Sequence, residues 1–119
     1  MAFFCVLPRR PFNALISILL SLKLRPDDEI IIPACTFVAC ANVIEMVNAK
    51  VVFVDIDPLT YNMDVSQIEK KITSKTKAIM VVHLYGQVAD IESIKQIASK
   101  YGLYLIEDCA EAIGSLFKG

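Results

Sequence analysis

Ala78-Ile79-Met80-Val81-Val82-His83 is an unbroken apolar run closed by a histidine. A strand with one wet face alternates apolar and polar residues, so a continuous run suits a strand buried on both faces, as in a parallel sheet covered by helices. Downstream, Asp90 is placed to cap a helix whose apolar positions Ile91, Ile94, Ala98 and Tyr101 recur at helical spacing, and Gly102 stops it at the C-cap. Residues 103–106 then read as a further strand. Upstream, Asp64 with Gln67 three residues on forms an acidic variant of the capping box, ahead of an inward stripe of Val65, Ile68 and Ile72.

Residues 51–54 read as another strand, ending in the turn cluster Asp55-Ile56-Asp57-Pro58. Before it, residues 29–32 are a branched apolar run closed by Pro33, a buried strand, and Thr36 is expected to open a helix over 37–47. Asn13 is expected to cap the first helix, with Leu15, Ile18, Leu19 and Leu22 on its apolar side. Residues 1–12, interrupted by Pro8-Arg9-Arg10-Pro11, are assigned no element.

Strands alternating with helices imply crossover units, hence an α/β fold of three αβα layers around a mainly parallel sheet. Pro33, Asp55, His83 and Asp108 each close a strand, so the residues after them are expected to share one rim. At 119 residues and 55% apolar content the chain is one domain with ample core. Twelve basic and 13 acidic residues are well mixed, which excludes the electrostatic footprint of a nucleic-acid or anionic-membrane binder. Residues 14–22 are apolar but too short for a bilayer, which needs roughly 20 such residues. The four cysteines lack a C-x-x-C spacing and, with one histidine, make a poor zinc site; they read as reduced, buried small hydrophobes of a cytoplasmic protein.

Chemistry concentrates in Leu105-Ile106-Glu107-Asp108-Cys109-Ala110-Glu111, where an apolar run ends in three carboxylates. The four glycines offer neither G-x-G-x-x-G nor a phosphate loop, and Pro33-Ala34-Cys35-Thr36 lacks the paired acids that a receiver domain carries after its first strand. What remains is an acid at a buried strand end (Asp108), an aromatic after another strand (Phe37) and a turn His83-Leu84-Tyr85-Gly86 after a third. Pyridoxal phosphate asks for such parts. Its ring nitrogen must stay protonated to act as an electron sink, which a buried carboxylate favours, and an aromatic face can stack on the ring.

Four motifs in order, Pro33-Ala34-Cys35-Thr36-Phe37-Val38-Ala39, Val52-Phe53-Val54-Asp55-Ile56-Asp57-Pro58, Val82-His83-Leu84-Tyr85-Gly86 and Ile106-Glu107-Asp108-Cys109-Ala110-Glu111-Ala112, resemble the DegT and StrS group of sugar aminotransferases. These are pyridoxal phosphate enzymes of the aspartate aminotransferase fold (fold type I). The resemblance implies that residues 13–119 are part of the cofactor-binding large domain, without the small C-terminal domain. It implies that Asp108 pairs with the pyridine nitrogen, Phe37 stacks on the ring, and Glu111 lies near the ring hydroxyl or the reacting imine. His83 reads as a hydrogen-bonded structural residue, Asp55 and Asp57 as turn and cap formers, and Cys109 as packing beneath the site. The implied partners are glutamate and a nucleotide-linked keto-sugar, in a homodimer serving cell-surface polysaccharide or a sugar-decorated metabolite.

Two departures stand out. The family's Ser-Gly-Thr phosphate cradle aligns with Arg10-Pro11-Phe12, where a proline lacks an amide hydrogen and a phenylalanine lacks a hydroxyl. The phosphate site is therefore expected to be lost, the alternative being that Arg9 and Arg10 hold a phosphate by themselves. The Schiff-base lysine would follow this segment, Lys118 matching only a turn ahead of it. The expectation is therefore no catalytic lysine: a truncated or frameshifted fragment, inactive alone, with residues 1–12 an atypical leader. The alternatives are a non-catalytic binding or dimerisation module that keeps only the fold, or a half-enzyme whose lysine comes from a second chain.

Overall fold

The apolar run around Ile79 is the middle of a five-stranded parallel sheet. A computed structural model of the chain describes residues 3–6 and 11–118. The elements are β1 (Phe3–Val6), α1 (Pro11–Ser21), β2 (Glu29–Pro33), α2 (Val38–Met46), β3 (Lys50–Val54), α3 (Val65–Lys71), β4 (Thr76–Val82), a 3₁₀ turn (Leu84–Gly86), α4 (Ile91–Tyr101) and β5 (Tyr104–Asp108). Strand order is β1-β5-β4-β2-β3, every ladder parallel.

Side chains of period two send each strand's apolar residues to both faces. Ile30, Ile32, Met80, Val82 and Ile106 pack under α1 and α2 against Leu15, Leu19, Val43 and Ile44. Ile31, Ile79, Val81 and Leu105 pack on the other face against Ile68, Ile94 and Ala98 of α3 and α4. This is the expected three-layer arrangement. Crossovers in parallel sheets are right-handed, so helices leading in opposite directions along the sheet must lie on opposite faces. Accordingly α2 carries the chain outward from β2 to β3, whereas α3 and α4 carry it back through β4 to β5. The loops leaving the adjacent strands β2 and β4 therefore diverge, and a crevice opens between them at the carboxyl ends.

Local chemistry sets the helix ends. The Asp64 carboxylate accepts from Ser66 N (2.9 Å), the Ser66 hydroxyl and Gln67 Nε2 (2.7 Å). These bonds, the Ser66 hydroxyl first, hold the Asp64 carboxyl below its ordinary range. Asp90 caps α4 through Ser93 N. Gly102 ends that helix in the left-handed region (φ 66°), and an added Cβ there would meet no heavy atom within 4 Å. Gly102→Ala thus carries backbone strain without a clash; urea unfolding should show a loss of about 1 kcal/mol.

Several boundaries differ from the sequence reading. Residues 1–12 are not without structure, because Phe3–Val6 pair with residues 105–108 along β5. A four-residue strand is specified by the edge it joins, which local pattern does not reveal. Helix α1 begins at Pro11, a favoured first helical position, and Asn13 lies inside the helix, its carbonyl accepting from Ser17 Oγ. Helix α2 is preceded by Phe37 rather than Thr36, with no side-chain cap. Arg9 and Arg10 lie outside the described residues. Among the described residues no helix is long and apolar enough to cross a membrane.

Candidate active site

Strand alternation splits the acidic cluster. Asp108 is in phase with Ile106 and faces the α1/α2 side, while Glu107 is in phase with Leu105 and faces the α3/α4 side. The strand runs two residues further than the apolar pattern suggested, because both carboxylates find partners there. Asp108 is 6% exposed. Its Oδ1 accepts from Ala110 N (3.0 Å) and its Oδ2 from the Cys40 thiol (3.5 Å). An ionised carboxylate offers about four lone-pair sites, so acceptor capacity remains.

That carboxylate borders a cavity of about 90 Å³ lined by Phe12, Leu15, Phe37, Ala39, Val82, Ala110 and Glu111. Phe37, 66% exposed, leaves ring surface open at its edge. Glu111 stands at the mouth, one oxygen accepting from Tyr85 N (3.1 Å). A second cavity of about 180 Å³, lined by Cys35, Thr36, Phe37, Leu84, Tyr85 and Glu111, fills the crevice between the β2 and β4 loops. Phe37, Asp108 and Glu111 thus line one cavity, Phe37 coming from the loop after β2 and the two carboxylates from the end of β5 and the turn after it.

Cys40 was legible only as a small core residue. It sits on the inward face of α2 with Val43 and Ile44, which aims its thiol at the end of β5. Burial pushes its pKa up to about 11; the Thr36 hydroxyl works against this and the neighbouring Asp108 adds to it. Folding then favours the thiol, so this contribution is complete below the unfolded value near 9 and is lost as pH rises through about 11. The loss should be on the order of 2–3 kcal/mol between those limits and absent in Cys40→Ala, read from urea midpoints against pH. Native Cys40 should also resist iodoacetamide at pH 8 and react once unfolded.

His83 is buried and turned away from this cavity, its Nε2 2.9 Å from Glu107 Oε2 and its Nδ1 accepting from Ala89 N (3.1 Å). This is the hydrogen-bonded structural role expected of it. Asp55 and Asp57 bond the amides of Ile56 and Leu59 within their turn, also as expected. Cys109 does not line the Asp108 cavity; its Sγ lies 4.0 Å from Glu107 Oε2. The reason is again the alternation that sends Glu107 to the other face. Lys118 is exposed and paired with Glu92 of α4, and among the described residues no lysine lines either cavity.

The model of the DegT/DnrJ/EryC1/StrS aminotransferase family matches residues 12–119. The chain belongs to this family. It is 46% identical over 116 residues to the UDP-2-acetamido-2-deoxy-3-oxo-D-glucuronate aminotransferase of Pseudomonas aeruginosa, covering 98% of this chain and 32% of that protein. Over 101 residues it is 52% identical to the GDP-perosamine synthase of Escherichia coli O157:H7, covering 85% and 28%. The ntda protein of Bacillus subtilis, crystallised with bound cofactor PMP, superposes with a TM-score of 0.84 at 43% identity, covering 87% of this chain and 24% of that one. An aminotransferase from Psychrobacter cryohalolentis superposes with a TM-score of 0.87 at 39% identity, covering 91% and 27%. The chain therefore spans about a quarter to a third of the length of the relatives it matches. Its architecture is part of a fold type I large domain, and the family's cofactor is pyridoxal phosphate.

The residues fit the ring of that cofactor. A buried carboxylate with spare acceptor capacity suits a protonated pyridine nitrogen, and an aromatic side chain exposed beside it suits a stacked ring.

Proposed function

We propose that this chain supplies the ring-binding half of a pyridoxal phosphate site in an aminotransferase that moves an amino group from glutamate to a nucleotide-linked keto-sugar. The observation that carries the reading is the buried Asp108 carboxylate, with one partner on each oxygen and lone pairs to spare, bordering a cavity with Phe37 and Glu111. When bound, the cofactor supplies an electron sink for breaking bonds at the amine-bearing carbon. Asp108 holds a proton at the ring nitrogen, since burial strengthens a charge-assisted bond there. Phe37 would cover a face of the bound ring and exclude water, and Glu111, oriented by the Tyr85 amide, would offer its other oxygen to it from the cavity lining.

The substrate class rests on relatives whose names specify sugar nucleotides linked to UDP, GDP and dTDP. We place the reaction in the cytoplasm, in polysaccharide or sugar-decorated metabolite synthesis. We assign the exposed apolar rim of Phe37, Val38, Tyr85, Ile113 and Leu116 to a homodimer contact. Because no lysine lines the cavities among the described residues, amine transfer is proposed to need a lysine from elsewhere. Titrating the chain with pyridoxamine phosphate tests the reading. Saturable binding at one site per chain, without turnover of glutamate, is expected; binding that never saturates would sink it.

A further inference from the structure

The His83 ring is engaged at both nitrogens. Ala89 N–H can only donate, so Nδ1 must present its lone pair, and the ring proton sits on Nε2, donated to Glu107. The backbone N–H of His83 donates in addition to the Asp108 carbonyl (3.1 Å). One residue thereby ties the end of β5 to residues 84–89.

That segment carries a strained point. Tyr85 is left-handed (φ 55°, ψ 27°), a conformation that costs a non-glycine residue roughly 1–2 kcal/mol and persists where its surroundings impose it. Its N–H donates to Glu111 Oε2, and the following Gly86 carbonyl accepts from Ser115 Oγ (2.8 Å). Contacts thus run from Glu107 through His83 and this turn to the carboxylate at the cavity mouth.

The donor atoms of His83, Glu107 and Cys109 lie within 4.8 Å of one another, a spacing that also suits a metal ion. The Nδ1 contact argues against that use. A metal on Nε2 would require the ring proton on Nδ1, where the Ala89 N–H already points.

We propose that His83 is a positioning residue for Glu111: oriented by Glu107, it holds residues 84–89 through Nδ1, keeps the Tyr85 amide on one oxygen of Glu111 and leaves the other available at the cavity mouth. What Glu111 then touches rests on the function proposed above; the latch itself does not.

The chain has one histidine, so its ring nitrogens can be observed without assignment ambiguity. Nitrogen-15 imidazole spectra of the wild-type chain are expected to show protonated Nε2 and bare Nδ1, and the opposite tautomer overturns the latch. Amide exchange supplies the second readout, Tyr85 being compared with Met80 inside β4 so that global destabilisation cancels. His83→Gln, which keeps a donor toward Glu107 but loses the Nδ1 acceptor, should speed Tyr85 exchange about tenfold, one hydrogen bond's worth. His83→Asn, which keeps an acceptor near Nδ1, should stay within about threefold of wild type on the same scale. Equal effects of the two substitutions contradict the proposal.

Coupling decides the rest. His83→Gln should weaken pyridoxamine phosphate binding about tenfold in the wild-type background and add nothing in Glu111→Ala. Additive losses mean that His83 does not act through Glu111. If the wild-type chain fails to bind the cofactor, the functional reading fails while the tautomer and the exchange ratio still judge the latch.

Discussion

Asp108→Asn is expected to bind pyridoxamine phosphate on the order of a hundredfold more weakly than the wild-type chain, with its unfolding midpoint little changed. Asparagine has the same shape and its side-chain oxygen can still accept from Ala110 N, so the turn after β5 survives. What disappears is the negative charge. A hydrogen bond to a charged partner is worth roughly 1.5–3 kcal/mol, and stranding a buried cation costs at least as much, which at 1.4 kcal/mol per decade gives about two decades. A fluorescence titration of both proteins checks it. An affinity within threefold of wild type would remove Asp108 from the ring.

The second large effect concerns the frame that carries this carboxylate. Ile106 is fully buried, two residues before Asp108 on the same face of β5, within the core beneath α1 and α2. Ile106→Ala should lower the free energy of unfolding by about 3–4 kcal/mol, the lost transfer energy plus an unfilled cavity. In a domain whose whole stability is about 5–15 kcal/mol, such a loss shifts the urea midpoint strongly. Tyr104→Ala, at the 37% exposed start of the same strand, should cost less than about 1 kcal/mol. Similar losses for the two would contradict the strand's assigned register.

What could be read without coordinates follows from how local each signal is. The β4 run, the Asp64 and Asp90 caps and the Gly102 stop are properties of neighbouring residues, and they stand where the pattern puts them. Strand β1 is not local, since Phe3–Val6 become a strand only against β5. That Phe37 and Asp108 could meet was legible because strand ends in a parallel sheet share a rim, whereas Glu111 was singled out only by the resemblance of its motif. The sorting of Glu107 from Asp108 needed the register of β5. The thiol of Cys40 on Asp108 needed the rotation of α2, which apolar periodicity leaves free by about one position.

The central claim is that Asp108 keeps the cofactor ring protonated, and the most direct measurement is the nitrogen-15 shift of ring-labelled pyridoxamine phosphate bound to the chain. In the wild-type complex the ring nitrogen should stay protonated as the pH is raised well past the point at which the free cofactor loses that proton, whereas in Asp108→Asn it should lose the proton at or below that point. An unprotonated ring nitrogen in the wild-type complex, or identical titrations for the two proteins, would contradict the account.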